Sequence, residues 1–132
     1  MDLEILKIAS DTINHKNLDD CTHKSKQKNP ICGDEMEVSV KISENQVLDF
    51  AYQCKSCIYC QASASVLSKF SINNTINNIN EIITFVDVFF ESNNAKFPKE
   101  WKKLEILFNK KNISRKECIL LPFKTLAKAL KT

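Results

Sequence analysis

The sequence contains a single glycine, Gly33, and this scarcity limits the folds and chemistries open to the chain. A phosphate-binding P-loop and a dinucleotide-binding fingerprint both need several glycines at fixed positions. A glycine-rich kinase loop and the nucleophile elbow of α/β-hydrolases have the same requirement. The sequence therefore excludes nucleotide-driven and α/β-hydrolase chemistry.

Length and charge predict one domain that binds neither nucleic acid nor membranes. The chain has 132 residues and a mass of 15.1 kDa, the size of one domain spanning residues 1–132. Its 19 basic and 16 acidic residues give a net charge of +3, too balanced for a nucleic-acid or anionic-membrane surface. The N-terminus is acidic and no long apolar run follows it, so we expect a cytoplasmic protein.

Hydrophobic periodicity predicts an α+β fold, in which a small antiparallel β-sheet packs against several α-helices. Apolar and polar residues alternate over 37–42, and 47–53 is the returning strand after a turn. Polar composition predicts loops at 16–30 and 73–80. Helical spacing of apolar residues predicts helices at 2–14, 58–69, 79–92, 98–110 and 119–131. The last helix should tolerate Pro122 only in its first turn.

Six cysteines are the unusual feature of the composition, at positions 21, 32, 54, 57, 60 and 118. In a reducing compartment, clustered cysteines bind metal or carry out sulfur chemistry more often than they form disulfides. Cys32 precedes the first predicted strand, whereas Cys57 and Cys118 open predicted helices. Because loops at element ends can converge, these three thiols are candidates for one site. The partial positive charge of a helix N-terminus also favours the thiolate form of Cys57 and Cys118.

Three of these cysteines form a Cys-x-x-Cys-x-x-Cys run, at Cys54, Cys57 and Cys60. The run is part of a ferredoxin cluster signature but lacks the fourth cysteine and its proline. It is also short of the paired Cys-x-x-Cys motifs of a zinc ribbon. Spacing alone therefore favours metal binding and leaves buried or incidental thiols as the alternative.

Three separate motifs resemble the U-type iron–sulfur cluster assembly family, which includes IscU, SufU and the N-terminal part of NifU. They are Asn29-Pro-x-Cys-Gly-Asp34, Cys57-x-x-x-x-Ala-Ser-Ala-Ser65 and Arg115-x-x-Cys-x-x-Leu-Pro122, and the likeness extends from about Asn29 to Leu130. The resemblance implies a compact α+β domain in which three cysteines and one aspartate share a metal. Carried over to this chain, the ligands are Cys32, Asp34, Cys57 and Cys118. Three thiolates and one carboxylate complete a tetrahedron around Zn²⁺.

The resemblance is stronger to the SufU-like branch than to the branch that builds 2Fe–2S clusters. The cluster-building branch has a histidine directly before its third cysteine, whereas this chain has Glu117 there. Arg115 matches the Arg-x-x-Cys of the SufU-like branch, and residues 71–112 are long enough for its helical insertion. Residues 1–28 then form an N-terminal helix and a polar linker.

For the SufU-like branch the resemblance implies a zinc-dependent acceptor and carrier of persulfide sulfur. The donor is a pyridoxal-phosphate (PLP) cysteine desulfurase, and downstream iron–sulfur assembly proteins are the further partners. Cys32 is the expected sulfur acceptor, as a co-substrate of the desulfurase rather than an independent enzyme. Arg115, the only arginine of the chain, is expected to support the reacting thiolates electrostatically.

Two other functions stay open at this point. The chain could be a scaffold that assembles and transfers a 2Fe–2S cluster, or a zinc-stabilised interaction module without sulfur chemistry. Cys60 stands where the family has serine and Cys54 is additional, so either is a possible extra ligand. Cys60 could instead be a resolving thiol. A further alternative is that Cys54 and Cys60 are only small buried hydrophobic residues. We interpret Cys21 as incidental, and the chain's two histidines as surface residues.

Overall fold

The computed structural model describes residues 3–30, 33–91 and 96–131, and within them the predicted α+β fold is confirmed. A three-stranded antiparallel sheet in the order β1-β2-β3 carries helices on one face. The helices and strands are α1 Leu3–Ala9, β1 His23–Lys28, β2 Glu35–Ser43, β3 Gln46–Lys55, α2 Ile58–Ser71, α3 Ile76–Asp87 and α4 Lys116–Leu130. Three 3₁₀ segments link α3 to α4, at Phe89–Glu91, Lys99–Ile106 and Lys110–Arg115. In these residues we find no helix with the length and apolarity needed to cross a membrane.

The β2–β3 hairpin was predicted from alternation, and the structure confirms it. Val38 lies opposite Tyr52 in the register, and both side chains are buried against the helices. The turn residues Glu44 and Asn45 have φ of 49° and 65°, the backbone of a tight hairpin turn. The hairpin forms because its apolar residues fall on one face and its turn tolerates the left-handed conformation.

The first strand, β1, was missed, since residues 16–30 were predicted to be a loop. Its sequence, His-Lys-Ser-Lys-Gln-Lys, contains no apolar residue and therefore gives no signal of alternating hydrophobicity. Ser25 is nevertheless buried, while Lys24, Lys26 and Lys28 point to solvent. The strand exists because β2 supplies its backbone hydrogen bonds and α4 covers its inner face.

The end of the first helix and the start of α3 differ from those predicted, and one hydrogen bond explains each difference. The first helix, expected over 2–14, ends at Ala9, because Asn14 leaves the helical path and its carbonyl accepts from the backbone N–H of Tyr52. The loop expected at 73–80 is wrong beyond Thr75. The Thr75 hydroxyl caps α3 by accepting from the N–H of Asn78 at 3.2 Å, so the helix starts among the asparagines.

The region between α3 and α4 is helical, as expected, but its segments are the narrower 3₁₀ helix rather than the α-helix that was predicted. The helix expected over 79–92 ends at Asp87, and the one expected over 98–110 is a 3₁₀ segment with an irregular backbone at Trp101. Pro122 was expected only in a first turn and lies in the second turn of α4, which begins earlier than predicted, at Lys116. It has no N–H to donate to the helix ladder.

Phe108 is the centre of an aromatic cluster that holds the 3₁₀ segments against α4. Its ring is 2% exposed and lies 5.4 to 5.7 Å from four other phenylalanine rings, those of Phe89, Phe90, Phe97 and Phe123. Phe123 belongs to α4, so the cluster packs the 3₁₀ segments against this helix. Cys118 lies five residues before Phe123 on the same helix, so this packing supports the element that carries Cys118.

Candidate metal centre

Three of the four predicted ligands converge in the structure. One ligand atom each of Asp34, Cys57 and Cys118 lies within 4.8 Å of the other two. Two sulfurs that share a tetrahedral zinc lie about 3.8 Å apart, given Zn–S bonds of about 2.3 Å. The sulfur–sulfur spacing therefore needs a contraction of about 1 Å or less to hold an ion, and each oxygen–sulfur spacing slightly more. Cys32, the fourth predicted ligand, lies outside the described residues.

Asp34 has the environment of a metal ligand rather than of a structural carboxylate. The residue is 7% exposed, and its Oδ1 accepts a hydrogen bond from the Cys57 N–H at 3.3 Å. Its Oδ2 is buried and has no hydrogen-bond partner in the part of the chain that the structure describes. A buried carboxylate oxygen without a partner is costly, and a bound cation removes that cost. The donor set therefore fits a zinc ion.

Gly33 turns the chain into the site. Its φ is +77°, a conformation that residues with a side chain rarely adopt, although a Cβ there would meet no atom within 4 Å. Its N–H donates to the Asn29 carbonyl at 2.8 Å, and the Asn29 N–H donates to the Asp34 carbonyl at 2.7 Å. The sole glycine of the sequence is thus used where a tight loop sets Asp34 at the start of β2.

Two helix starts supply the two thiols, and a buried hydrogen bond ties these helices together. Cys57 is the N-cap of α2, with φ −72° and ψ 168°, and Cys118 is buried in the first turn of α4. The Ser63 hydroxyl donates to the Ile119 carbonyl at 2.6 Å, one residue beyond Cys118. Both thiols therefore lie at helix N-termini, where the backbone dipole carries partial positive charge.

Arg115 was predicted from the sequence to belong to the site, but its contact with Tyr59 was not predicted. Its guanidinium carbon lies 5.5 Å from the ring centroid of Tyr59, a cation–π contact. Among the described residues it forms no ion pair with a carboxylate. A signal was present in the sequence: Tyr59 follows Cys57 by two positions and Arg115 precedes Cys118 by three, so both flank converging cysteines.

The additional thiols do not join the three ligand atoms. Cys60 is fully buried, and burial strongly raises the pKa of its thiol; burial also raises the pKa of Cys54, on β3. Both are therefore neutral thiols near pH 7 in this conformation, which favours their interpretation as small buried groups. Cys21 and the histidines also lie outside the group, and His15 stacks on Tyr52 with ring centroids 5.1 Å apart.

Comparison with known proteins agrees with the geometry. The profile of the NifU-like N terminal domain matches residues 4–109. A 115-residue stretch, 86% of the chain, is 31% identical to a Thermotoga maritima protein named iron-sulfur cluster assembly scaffold protein IscU, 80% of which it covers. An uncharacterized protein of Borreliella burgdorferi is 30% identical over 101 residues, which are 76% of this chain and 70% of that protein.

Two solved structures share the fold. One is a NifU-like protein (N-terminal) from Brucella abortus, with a TM-score of 0.90 and 21% identity over 98% of this chain and 91% of that chain. The other is a putative iron-sulfur cluster assembly scaffold protein for the SUF system from Fervidobacterium islandicum, with a TM-score of 0.88 and 23% identity, covering 98% and 96% of the two chains. The matched profile, the identity to IscU and the convergent site together show that the chain belongs to the NifU-like N-terminal domain family, the U-type family of iron–sulfur cluster assembly.

Proposed function

We propose that the protein takes part in iron–sulfur cluster assembly by accepting persulfide sulfur from a PLP-dependent cysteine desulfurase and passing it to downstream assembly proteins. The observation that carries the proposal is the convergence of Asp34, Cys57 and Cys118, together with a buried Asp34 oxygen that has no hydrogen-bond partner among the described residues. In the family to which the chain belongs, this arrangement is best explained as a metal centre for sulfur chemistry.

Zinc is the metal that we assign to this centre, with Cys32 as the fourth ligand. The assignment is supported by the donor set, because thiolates and one carboxylate suit zinc and leave it four-coordinate. When bound, zinc supplies the positive charge that keeps the cysteine thiols deprotonated at neutral pH. The carboxylate of Asp34 is the hardest of the four donors. Among the described residues it accepts one hydrogen bond, from the Cys57 N–H.

Cys32 is the sulfur acceptor in this proposal. Its thiolate attacks the outer sulfur of the persulfide on the desulfurase cysteine; the S–S bond breaks, and the desulfurase cysteine leaves as a thiolate. One sulfur atom moves, and no electrons are gained or lost overall. In sequence Cys32 adjoins Gly33, whose turn sets the direction of the loop.

Replacing Cys32 by alanine is expected to abolish sulfur acceptance, because in this proposal the Cys32 thiolate is the group that attacks the persulfide. The measurement is transfer of ³⁵S from a desulfurase loaded with labelled cysteine, followed on non-reducing gels. Cys21→Ala, which also removes a loop thiol, is the control and should accept sulfur at the rate of the unmodified protein. Label on the Cys32→Ala protein at that same rate would show that Cys32 is not the acceptor.

Arg115 is expected to support this reaction through its charge, and Tyr59 to hold it in place. Tyr59→Leu removes the ring and should lower the sulfur-transfer rate about tenfold, the scale of a partly desolvated cation–π contact. Tyr59→Phe keeps the ring and should transfer sulfur nearly normally. Zinc content should stay unchanged in both variants. Equal sulfur-transfer rates for the two variants would show that the Tyr59 ring does not position Arg115 for the reaction. Because Arg115 is the only arginine of the sequence, the protein has one arginine Nε–H NMR signal. The ring-current shift of that signal reports the Arg115–Tyr59 contact directly.

A scaffold that assembles and transfers a 2Fe–2S cluster is the second candidate, favoured by the name of the Thermotoga relative. Anaerobic purification without added metal separates the two, by measuring zinc, iron and acid-labile sulfide per chain. About one zinc and no sulfide supports the sulfur acceptor. Iron with matching sulfide supports the scaffold and makes Cys32 a cluster ligand.

A further inference from the structure

The start of α2 carries a pair of thiols that the proposed sulfur transfer does not use together. Cys57-Ile-Tyr-Cys60 places one cysteine at the N-cap and the other in the first turn, and the Gln61 N–H donates to the Cys57 carbonyl at 3.1 Å as the first bond of the helix. Cys57 is half-buried, whereas Cys60 has no exposed surface. A Cys-x-x-Cys pair with one accessible and one buried thiol at a helix start is the arrangement used for dithiol–disulfide exchange.

The backbone allows a bond between these two sulfurs. Residues three apart in an α-helix have Cα atoms about 5 Å apart, which lies inside the range of about 4.4–6.8 Å that disulfides span. Cys57 is an N-cap residue, so its N–H takes no part in the helix ladder and instead donates to Asp34 Oδ1. Cys57 is joined to the helix ladder through its carbonyl alone, so rotation of its side chain toward Cys60 breaks no helical hydrogen bond.

We propose that Cys57 and Cys60 form a redox-active dithiol, and that its disulfide and a metal at the centre exclude each other. The oxidant is a small-molecule disulfide. The Cys57 thiolate attacks one of its sulfurs, the S–S bond breaks and one small thiolate leaves, so that Cys57 carries a mixed disulfide. The Cys60 thiol then loses its proton to solvent and attacks the Cys57 sulfur, and the second small thiolate leaves. The proton lost by Cys60 is taken up by one of the two released thiolates. Two protein thiols lose two electrons and the small disulfide gains them, so the exchange balances.

Access sets the order of these two attacks, because only Cys57 can be reached from solvent. Once bridged, Cys57 is no longer a thiolate, so the group of Asp34, Cys57 and Cys118 loses one of its sulfur donors. The disulfide itself depends only on the geometry of α2. The exclusion of metal, in contrast, rests on the metal centre proposed above.

Mass spectrometry tests the disulfide on the metal-free, full-length protein, with oxidised glutathione as the oxidant under anaerobic conditions. Trypsin cleaves after Lys55 and Lys69 and releases a peptide, residues 56–69, that contains Cys57 and Cys60 and no other cysteine. After remaining thiols are alkylated, the bridged peptide carries no label and is lighter than its reduced form by two hydrogen atoms. We expect it to become the major form, and we expect about tenfold slower formation when zinc is added first.

Cys60→Ala is the matched variant. It should bind zinc as the unmodified protein does but stop at the glutathione adduct on Cys57. Cys54→Ser should bridge normally. If peptide 56–69 stays reduced while Cys57 is instead joined to another cysteine, or if Cys60→Ala changes nothing, the dithiol is wrong even though the metal centre stands. If the bridge forms at the same rate with zinc present and zinc binds without Cys57, then the exclusion and the proposed ligand set are both wrong.

Discussion

Replacing Cys118 by alanine is expected to weaken zinc binding by more than about a hundredfold. Removing a residue that merely orients a ligand costs about 10–100-fold in metal affinity, and Cys118 would supply the ligand itself. Zinc at a thousand times its dissociation constant stabilises a folded chain by about 4 kcal/mol, so the variant should also lose most of that stabilisation. Competition with a chromophoric chelator measures the affinity, and urea unfolding with and without zinc measures the stabilisation.

Cys21→Ala is the control for this experiment, because Cys21 lies outside the group of three ligand atoms. Its zinc affinity should be that of the unmodified protein. Asp34→Asn adds a finer test, since the amide oxygen can still accept from the Cys57 N–H while the negative charge is lost. A Cys118→Ala protein that binds zinc with undiminished affinity would contradict the assignment of the centre.

Phe108→Ala is expected to cost about 3–5 kcal/mol of unfolding free energy, the usual effect of emptying a large aromatic site in a core. The four rings around Phe108 come from three separate parts of the chain, so local movement should not refill the space. A domain of this size should lose on the order of 10 °C or more in its melting temperature. Calorimetry and urea denaturation measure both quantities.

Val88→Ala is the matched control, because Val88 is in the same region but 53% exposed. Its effect should stay within about 0.5 kcal/mol, as for other surface substitutions. Comparable losses of unfolding free energy in the two variants would show that the ring cluster does not anchor α4.

The parts of the fold that the sequence predicted are those with a periodic apolar signal. The β2–β3 hairpin and the helix starting at Ile58 have one, and both were found. Strand β1 has none, because its one buried side chain is Ser25, and its position depends on β2. The start of α3 depends on a single hydroxyl, that of Thr75, within a run of asparagines.

The sequence pointed to the residues of the candidate site but not to the contacts that hold their helices together. Cysteines at element ends, and the family motifs, pointed to Asp34, Cys57 and Cys118. The Ser63–Ile119 hydrogen bond joins residues 56 positions apart, and no local pattern encodes such a contact. The roles of Cys32 and of the insertion at 71–112 stay predictions.

The lysines of β1 affect whether two copies of the molecule can associate through their sheet edges. In the described residues β1 is an edge strand, paired with β2 alone. An open edge is a template on which a second chain can extend the sheet and begin to aggregate. Lys24, Lys26 and Lys28 stand at alternate positions along this edge, so two such edges brought together would set like charges face to face. A strand without an apolar side chain thus protects the sheet from unwanted growth.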